Sequence, residues 1–258
     1  MDIIVIVSLT LLGLALGSFL SLTIDRLPRG QSLIYPPSHC DGCHQRLRPR
    51  DLVPIASYLW LLGRCRHCGY RIPPRAPLVE AIAAAGCGLI AYRYGLTPVT
   101  AILVFYLAVA IHITFVDLER SLILNRIVLL ALPLALATFP FSPLGQGFSL
   151  GEAYLRSLAG AGAGFGVMLL VYVGSRGRLG AGDVKLAALL GAMLGFPQIL
   201  AGLLLGFTAG GVLAVALLML KLRRRTDAIP LGPMLLGSAA AVLVTGVGIY
   251  DWYLGFFR

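Results

Sequence analysis

Long apolar runs recur along most of this chain, and each approaches the length that a helix needs to cross a bilayer. A transmembrane helix requires about 20 consecutive, predominantly apolar residues. Only 12% of the 258 residues are charged, whereas a soluble domain carries roughly 25%. The mean hydropathy is +0.88. These features predict an all-α membrane protein that crosses the bilayer several times.

The apolar runs predict about eight transmembrane helices. The run at residues 184–220 is too long for one crossing, and Pro197 near its middle interrupts helical hydrogen bonding, so it is divided into two helices, the first of them short. The first run lacks a basic segment before it and is longer than the apolar core of a signal peptide, which predicts a retained helix. The expected helices lie at residues 3–24, 78–94, 99–116, 127–141, 153–174, two segments within 184–220, and 229–250.

One long segment, residues 25–77, breaks the apolar pattern and is rich in Arg, Pro and Cys. This change of composition predicts a small module inserted between membrane helices. We therefore expect three domains: a first transmembrane helix at residues 1–24, the module at 25–77, and a seven-helix membrane domain at 78–258.

The basic residues give the expected orientation. With the N-terminus outside, all but three of the 21 lysines and arginines fall on the cytoplasmic side, which agrees with the positive-inside rule. The net charge of +10 is then concentrated on a face that contacts anionic lipid. The charges follow the membrane side and form no patch interleaved with aromatic residues, which argues against nucleic-acid binding. The three basic residues expected on the outer side are Arg93, Arg156 and Arg258.

Four cysteines in the module form two CxxC pairs with 21 residues between them, just beyond the usual spacing of a zinc ribbon. Two thiolates from each pair make a tetrahedral set of ligands for Zn²⁺. Four protein ligands leave no open coordination position, so the expected role of the zinc is structural. Stable disulfides or a redox pair are the alternative, disfavoured in a reducing cytoplasm. Three histidines flank the pairs, and one of them is an alternative ligand. The cysteines are Cys40, Cys43, Cys65 and Cys68, and the histidines are His39, His44 and His67.

Two aspartates are expected at the same membrane face. Asp117 ends an inward-running helix, and Asp183, 66 residues later, begins an outward-running one. For Asp183 alone, a helix-end charge favoured by the macrodipole, or paired with Lys185, is an equal alternative. Two carboxylates at one depth can share a proton, so that one activates a water and the other protonates a leaving amine. Together they predict an aspartic protease at a membrane surface.

Short motifs in this chain carry a resemblance that spans nearly its whole length. The motif "GAGD" at residues 180–183 fits the GxGD motif of membrane aspartic proteases. The segments "FVDLERSLILN" and "GDVKLAALLGAMLG" resemble the first and second catalytic segments of the type IV prepilin peptidases. Three further stretches match in order: "GSFLSLTIDRLPRG", the cysteine module with its flanks, and "IPLGP" at residues 229–233. One departure is Leu124, where the family usually has proline.

The resemblance implies a bifunctional enzyme of the bacterial inner membrane. Such enzymes cut the basic leader of prepilins and pseudopilins after glycine, and then N-methylate the new terminal residue with S-adenosylmethionine. It implies Asp117 and Asp183 as the catalytic pair and the four cysteines as zinc ligands. Glu80 and the region 17–19 are the candidates for the methyl-transfer site. A proton- or metal-coupled transporter and a non-catalytic scaffold are the alternatives, and the oligomeric state is left open.

Overall fold

The computed structural model describes residues 2–176, 179–222 and 230–245. Within these ranges the secondary structure is helical, apart from two isolated β-bridges in the cysteine module. The end of the last predicted helix and the basic run Arg223–Arg225 lie outside the described residues. The prediction of an all-α protein is confirmed for the part of the chain that the structure covers.

Helices lie at the position of every predicted apolar run. In chain order they are α1 (Ile3–Arg26), α2 (Ala56–Trp60), α3 (Arg75–Tyr94), α4 (Pro98–Arg120), α5 (Asn125–Thr138), α6 (Leu150–Gly174), α7 (Ala181–Leu194), α8 (Gln198–Met219) and α9 (Gly232–Thr245). Short 3₁₀ turns occupy Leu27–Arg29, Pro49–Leu52 and Phe139–Phe141. The five-residue α2 is the one helix of this list that belongs to the polar module.

Five of these helices, α1, α3, α4, α6 and α8, are long and apolar enough to cross a membrane. These helices fit a multi-pass membrane protein. Helices α5 and α9 are apolar but shorter, and α7 has 14 residues. The predicted break before α8 is confirmed, since α7 ends at Leu194 and α8 begins at Gln198. The total of eight crossings remains a prediction.

The chain divides into two compact units, residues 1–112 and 113–258, and the division falls within α4. The three domains expected from composition have boundaries where the polarity of the sequence changes, whereas these two units are defined by the compactness of the fold. The three-domain division remains a prediction. In the first unit, α1 packs closely on α3 because glycines face the contact. A Cβ on Gly17 would lie 2.5 Å from the Cα of Glu80, and one on Gly13 would lie 2.8 Å from the Cα of Ala84.

In the second unit, the short α7 is buried along most of its length. Every residue from Leu186 to Leu194 is buried, and the Ser157 hydroxyl of α6 donates to the Ala192 carbonyl at 2.8 Å. Gly160 and Gly164 of α6 lie directly against the α7 backbone, so a side chain at either would clash with it. The surrounding helices therefore hold α7 in place.

The run "GAGAGFG" at residues 160–166 of α6 packs on α7 through only two of its four glycines. A Cβ on Gly160 or Gly164 would meet α7, whereas one on Gly162 or Gly166 would meet nothing within 4 Å. The difference follows from the helical period, since residues four apart share a face and residues two apart do not. Close approach of small residues is a common way for membrane helices to associate.

Leu124 precedes α5 in a conformation that proline also adopts. Its φ is −71° and its ψ is 118°, and proline fixes φ near −65°. The preceding Ile123 lies outside any helix, which is the conformation favoured for a residue before proline. Among the described residues, no hydrogen bond is donated by the Leu124 N–H. The backbone at this position is therefore compatible with the proline that the family usually has there.

We predict that Leu124→Pro raises stability relative to Leu124→Ala by about 0.4–1 kcal/mol, because proline restricts the unfolded chain at a compatible site. The alanine variant is the reference because Leu124 is half-buried and both substitutions remove its side chain. The measurement is the unfolding midpoint in one detergent. A proline variant less stable than the alanine variant would contradict the compatibility of this turn with proline.

Candidate functional site

Asp117 lies in the last turn of α4 with its side chain buried, 5% exposed. Its Oδ2 accepts a hydrogen bond of 3.0 Å from the backbone N–H of Gly232, the first residue of α9. The positive end of a helix favours a carboxylate at this place. A Cβ on residue 232 would lie 2.6 Å from that Oδ2. Glycine is therefore required for the start of α9 to reach the carboxylate.

Asp183 is the third residue of α7, after the N-cap Gly180. Its carboxylate accepts a hydrogen bond from the Gly180 N–H, and it is half-buried. Gly182 lies so close to the loop after α4 that a Cβ would be 2.9 Å from the Cβ of Ile123. Gly182 thus allows the start of α7 to pack against the segment that follows Asp117.

The structure brings the two aspartates together, close enough for their charges to interact. Lys185 does not neutralise either of them, contrary to the alternative considered for Asp183. Its Nζ donates instead to the Oδ1 of Asn125 at 2.9 Å, and the two ion pairs found among the described residues involve other carboxylates. Glu119, two residues after Asp117, is exposed.

This arrangement has the components of acid–base catalysis. Like charges in proximity resist simultaneous ionisation, so a pair of carboxylates tends to hold one proton. The protonated member can donate a proton, while the ionised member can accept one from water. Asp117 is buried and Asp183 half-buried, so Asp183 is the more accessible member of the pair.

The four cysteines of the module lie on two knuckles with matching backbone hydrogen bonds. The N–H of Cys40 donates to Gln45 O at 3.0 Å, and that of Cys65 donates to Tyr70 O at 2.8 Å. The residue after each second cysteine has a positive φ, 57° at His44 and 71° at Gly69. The module is therefore built from two copies of one turn, 25 residues apart in the sequence.

The sulfur atoms converge on one point. All four lie within 4.8 Å of one another, and the Sγ atoms of Cys40 and Cys68 are 3.7 Å apart. A tetrahedral zinc with Zn–S bonds of about 2.3 Å gives sulfur separations of about 3.8 Å. All five cysteines of the chain are free, so the disulfide alternative is not what the structure has. The group can hold a metal ion.

Backbone N–H groups prepare the sulfurs for a cation. The N–H of Gly42 donates to Cys40 Sγ at 3.3 Å, and that of His67 donates to Cys65 Sγ at 3.5 Å. The pKa of Cys65 is lowered to about 7 by the N–H groups of Cys68 and His67. Although the N–H of Tyr70 lowers the pKa of Cys68, burial and the other three sulfurs raise it to about 12. Crowded thiols of this kind ionise together when a cation binds.

The three histidines of the module contribute no atom to the sulfur group. His39 Nδ1 contacts the carbonyl of Pro37 at 3.0 Å, and its ring lies 6.0 Å from that of His44. His44 and His67 are exposed. The four cysteines alone therefore make up the candidate metal site, and the alternative of a histidine ligand finds no support in the described residues.

Glu80 of α3 is buried, 7% exposed, and two groups hold its carboxylate. The N–H of Ile55 donates to Oε2 at 2.7 Å, and the Ser18 hydroxyl of α1 also bonds to the carboxylate. With Gly17 against its backbone, Glu80 meets the other candidate region for methyl transfer. The structure thus brings together Glu80 and residues 17–18.

Sequence reasoning missed Ile55. Its φ of 58° and ψ of −50° place it at the centre of a classic γ-turn, closed by a bond of 2.5 Å from the Ala56 N–H to the Pro54 carbonyl. A positive φ is costly for a β-branched residue. Nothing in the local pattern marks this position, because the stabilising contact comes from Glu80, 25 residues away.

Two family models match the chain in succession. Residues 11–94 match the bacterial peptidase A24 N-terminal domain, which includes the cysteine module and Glu80. Residues 103–215 match the type IV leader peptidase family, which includes both aspartates. No solved structure gives a significant match.

Several curated relatives match over almost their full length. The chain is 30% identical to the prepilin leader peptidase/N-methyltransferase of Bacillus subtilis, covering 95% of this chain and 96% of the relative. It is 33% identical to the protein of that name from Aeromonas salmonicida, with coverages of 95% and 92%. For the one from Dickeya chrysanthemi the identity is 34%, with coverages of 94% and 93%. The chain belongs to the type IV leader peptidase family.

Proposed function

We propose that this protein is a membrane aspartic endopeptidase that removes the leader of prepilins or pseudopilins after glycine and N-methylates the new terminus. The observation that carries the proposal is the aspartate pair of the second unit. Both aspartates lie within the family match at residues 103–215, and backbone N–H groups bond to their carboxylates. Both activities appear in the names of the relatives. The transporter alternative receives no support from the family models or from these relatives.

Asp117 and Asp183 are the proposed catalytic residues. The ionised carboxylate removes a proton from a water molecule, and the resulting hydroxide attacks the carbonyl carbon of the scissile bond. The carboxylic acid then protonates the departing amine, the new N-terminus of the pilin. One proton enters the pair and one leaves it, so the pair returns to its starting state. Gly180 carries no side chain beside the Asp183 carboxylate, whereas Gly182 is packed against Ile123.

The proposed setting is the bacterial inner membrane with the aspartates at the cytoplasmic face. The basic residues support this orientation through the positive-inside rule. Eight crossings and an outer N-terminus are part of the proposal, as is the division into a first helix, a module at residues 25–77 and a membrane domain. The substrates named by this function are prepilins or pseudopilins.

Asparagine substitutions test the pair. Asp117→Asn and Asp183→Asn retain size and polarity but cannot cycle a proton, so each is expected to lower the rate of leader cleavage by several orders of magnitude. The double variant is expected to be little worse, because residues that act as a unit are not additive. The measurement is mass spectrometry of a synthetic prepilin after incubation with the purified enzyme.

Glu119→Gln is the matched control, since this exposed carboxylate lies two residues from Asp117 on the same helix. It is expected to retain most of the cleavage activity. A near-normal rate of cleavage in Asp117→Asn or Asp183→Asn would show that the substituted aspartate is not catalytic. Normal rates in all three variants would rule out the aspartic mechanism.

We further propose that Cys40, Cys43, Cys65 and Cys68 bind one structural Zn²⁺. Their sulfur geometry and the N–H donors on two sulfurs support this choice. A closed set of four thiolates leaves no position for a substrate, so the ion would hold the two knuckles together.

Metal analysis of the purified protein is expected to give about one zinc per chain. Cys65→Ser is expected to lose the metal and to expose the module to protease, because metal binding and folding are coupled. Cys87→Ser is the control, since Cys87 is buried in α3 away from the four-sulfur group. Metal-free protein with all four cysteines reduced and the module intact would contradict the proposal.

Methyl transfer is proposed to use the first unit, with Glu80 as the candidate for holding S-adenosylmethionine. A buried carboxylate suits a ligand with a positive sulfonium and amino group, and Gly17 and Ser18 lie beside it. S-adenosylmethionine supplies the methyl group. Glu80 would orient it, while its present hydrogen bond to Ile55 shows that the same carboxylate also has a structural partner.

Cleavage and methylation are therefore expected to be separable. Asp183→Asn is expected to methylate a pre-cut pilin at the normal rate, because its substitution lies in the other unit. Glu80→Gln retains an oxygen for the Ile55 N–H but loses the charge, and it is expected to weaken S-adenosylmethionine binding by calorimetry at least tenfold while cleavage continues. Loss of both activities in a folded Asp183→Asn variant would indicate one shared site, and unchanged affinity in Glu80→Gln would remove Glu80 from the cofactor site.

A further inference from the structure

An uncharged segment lies inside the basic module. Residues 52–63, "LVPIASYLWLLG", contain no charged side chain, whereas residues 25–77 as a whole contain nine arginines and three aspartates. Three large apolar residues of this segment are mostly exposed and lie close together in the sequence. They form the apolar tip, with exposures of 64% for Leu59, 85% for Trp60 and 85% for Leu62. An exposed apolar patch of this kind marks an interaction site.

The attachment of this segment shows where the tip lies along the membrane helices. The N–H of Ile55, just before α2, is fixed to the carboxylate of Glu80. Glu80 is the sixth residue of α3, about 7.5 Å along the helix axis from Arg75 at 1.5 Å per residue. The same carboxylate bonds to Ser18 of α1, which lies about 12 Å along that helix from Arg26. Helix α2 therefore starts beside the membrane helices, not beyond their ends.

Charged groups mark the level of the membrane surface on the same two helices. Arg75 forms an ion pair with Asp25 at 2.6 Å, and both residues lie at the ends where α1 and α3 enter the module. The attachment of Ile55 lies closer to the apolar part of each helix than these charges, by about one and a half turns along α3 and about two turns along α1. A segment attached at this level meets the boundary between lipid headgroups and acyl chains.

We propose that the apolar tip, Leu59, Trp60 and Leu62, is embedded in the headgroup–acyl boundary of an anionic phospholipid bilayer. Tryptophan is enriched at this depth because its ring is apolar and its N–H is polar. The exposed Arg64 lies two residues after the tip, and the arginine excess of the module complements the charge of anionic lipid. The module is thus anchored to the bilayer at α2 as well as through α1 and α3.

Two other occupants fit the same surface less well. A prepilin leader is basic, so the arginines of the module would repel it; this point alone depends on the proposed function. A second copy of the chain would bring two arginine-rich modules together at the cost of like-charge repulsion. The bilayer is the partner whose charge is opposite and whose apolar layer lies at the level of the attachment.

Tryptophan fluorescence tests the proposal, because the chain contains two tryptophans, Trp60 and Trp252. The Trp252→Phe variant of the full chain is reconstituted in vesicles of phosphatidylethanolamine and phosphatidylglycerol. Trp60 emission is expected to be blue-shifted, protected from iodide, and quenched more by lipids brominated near the headgroup than by lipids brominated near the chain end. If Trp252→Phe does not fold, the difference between wild type and Trp60→Phe gives the same spectrum.

A second reporter separates the tip from the rest of the module. Gln45→Trp, with Trp60→Phe and Trp252→Phe, places tryptophan at an exposed position between His44 and Arg46, and iodide is expected to quench it. Free access of iodide to Trp60, or equal responses of the two reporters, would overturn the proposal. Protection of Trp60 that disappears when the protein is diluted with lipid would indicate that a second copy of the chain covers the tip. Protection that requires an added prepilin peptide would indicate that the substrate covers it. Either result would also overturn the proposal.

Discussion

A carboxylate buried among apolar helices needs a compensating partner, and this protein supplies backbone N–H groups instead of cationic side chains. Asp117 accepts from Gly232, Asp183 from Gly180, and Glu80 from Ile55. A buried arginine or lysine would hold a carboxylate permanently ionised, because removing the charge would strand its partner. A neutral N–H bonds to an ionised or a protonated carboxyl group. The aspartate pair can therefore exchange a proton without losing its supports.

The close approach of backbones explains the glycines at these supports. Gly232 lies against Asp117, Gly182 against Ile123, and Gly17 against Glu80, and each would bring a Cβ within 3.0 Å of its neighbour. Each of these glycines lies in a stretch through which the sequence resembles the peptidase family. The glycines of "GAGD" and "IPLGP" thus act in the same loop region, one at each aspartate. A motif that looks like a chemical signature is in large part a packing requirement.

The sequence predicted what depends on composition, spacing and topology. Apolar runs located the helices, CxxC spacing located the sulfur group, and the alternation of crossings predicted that Asp117 and Asp183 meet. The sequence could not predict the register of one helix against another, because the helical period identifies the face of a helix but not the helix that packs on that face. The bond from Gly232 to Asp117, the choice of Asn125 by Lys185, and the strained Ile55 all depend on contacts between distant segments. Each of them also selects a polar partner, which hydropathy does not encode.

The position of Asp183 follows from the shortness of α7. Its 14 residues span about 21 Å at 1.5 Å per residue, less than the ~30 Å of the hydrocarbon core. The helix is buried from Leu186 onward, whereas Ala181 at its start is exposed. Apolar packing therefore encloses most of α7 and leaves its first turn, which carries Asp183, more accessible. A carboxylate at this first turn can be approached, whereas one at Leu186 or beyond would be enclosed by the neighbouring helices.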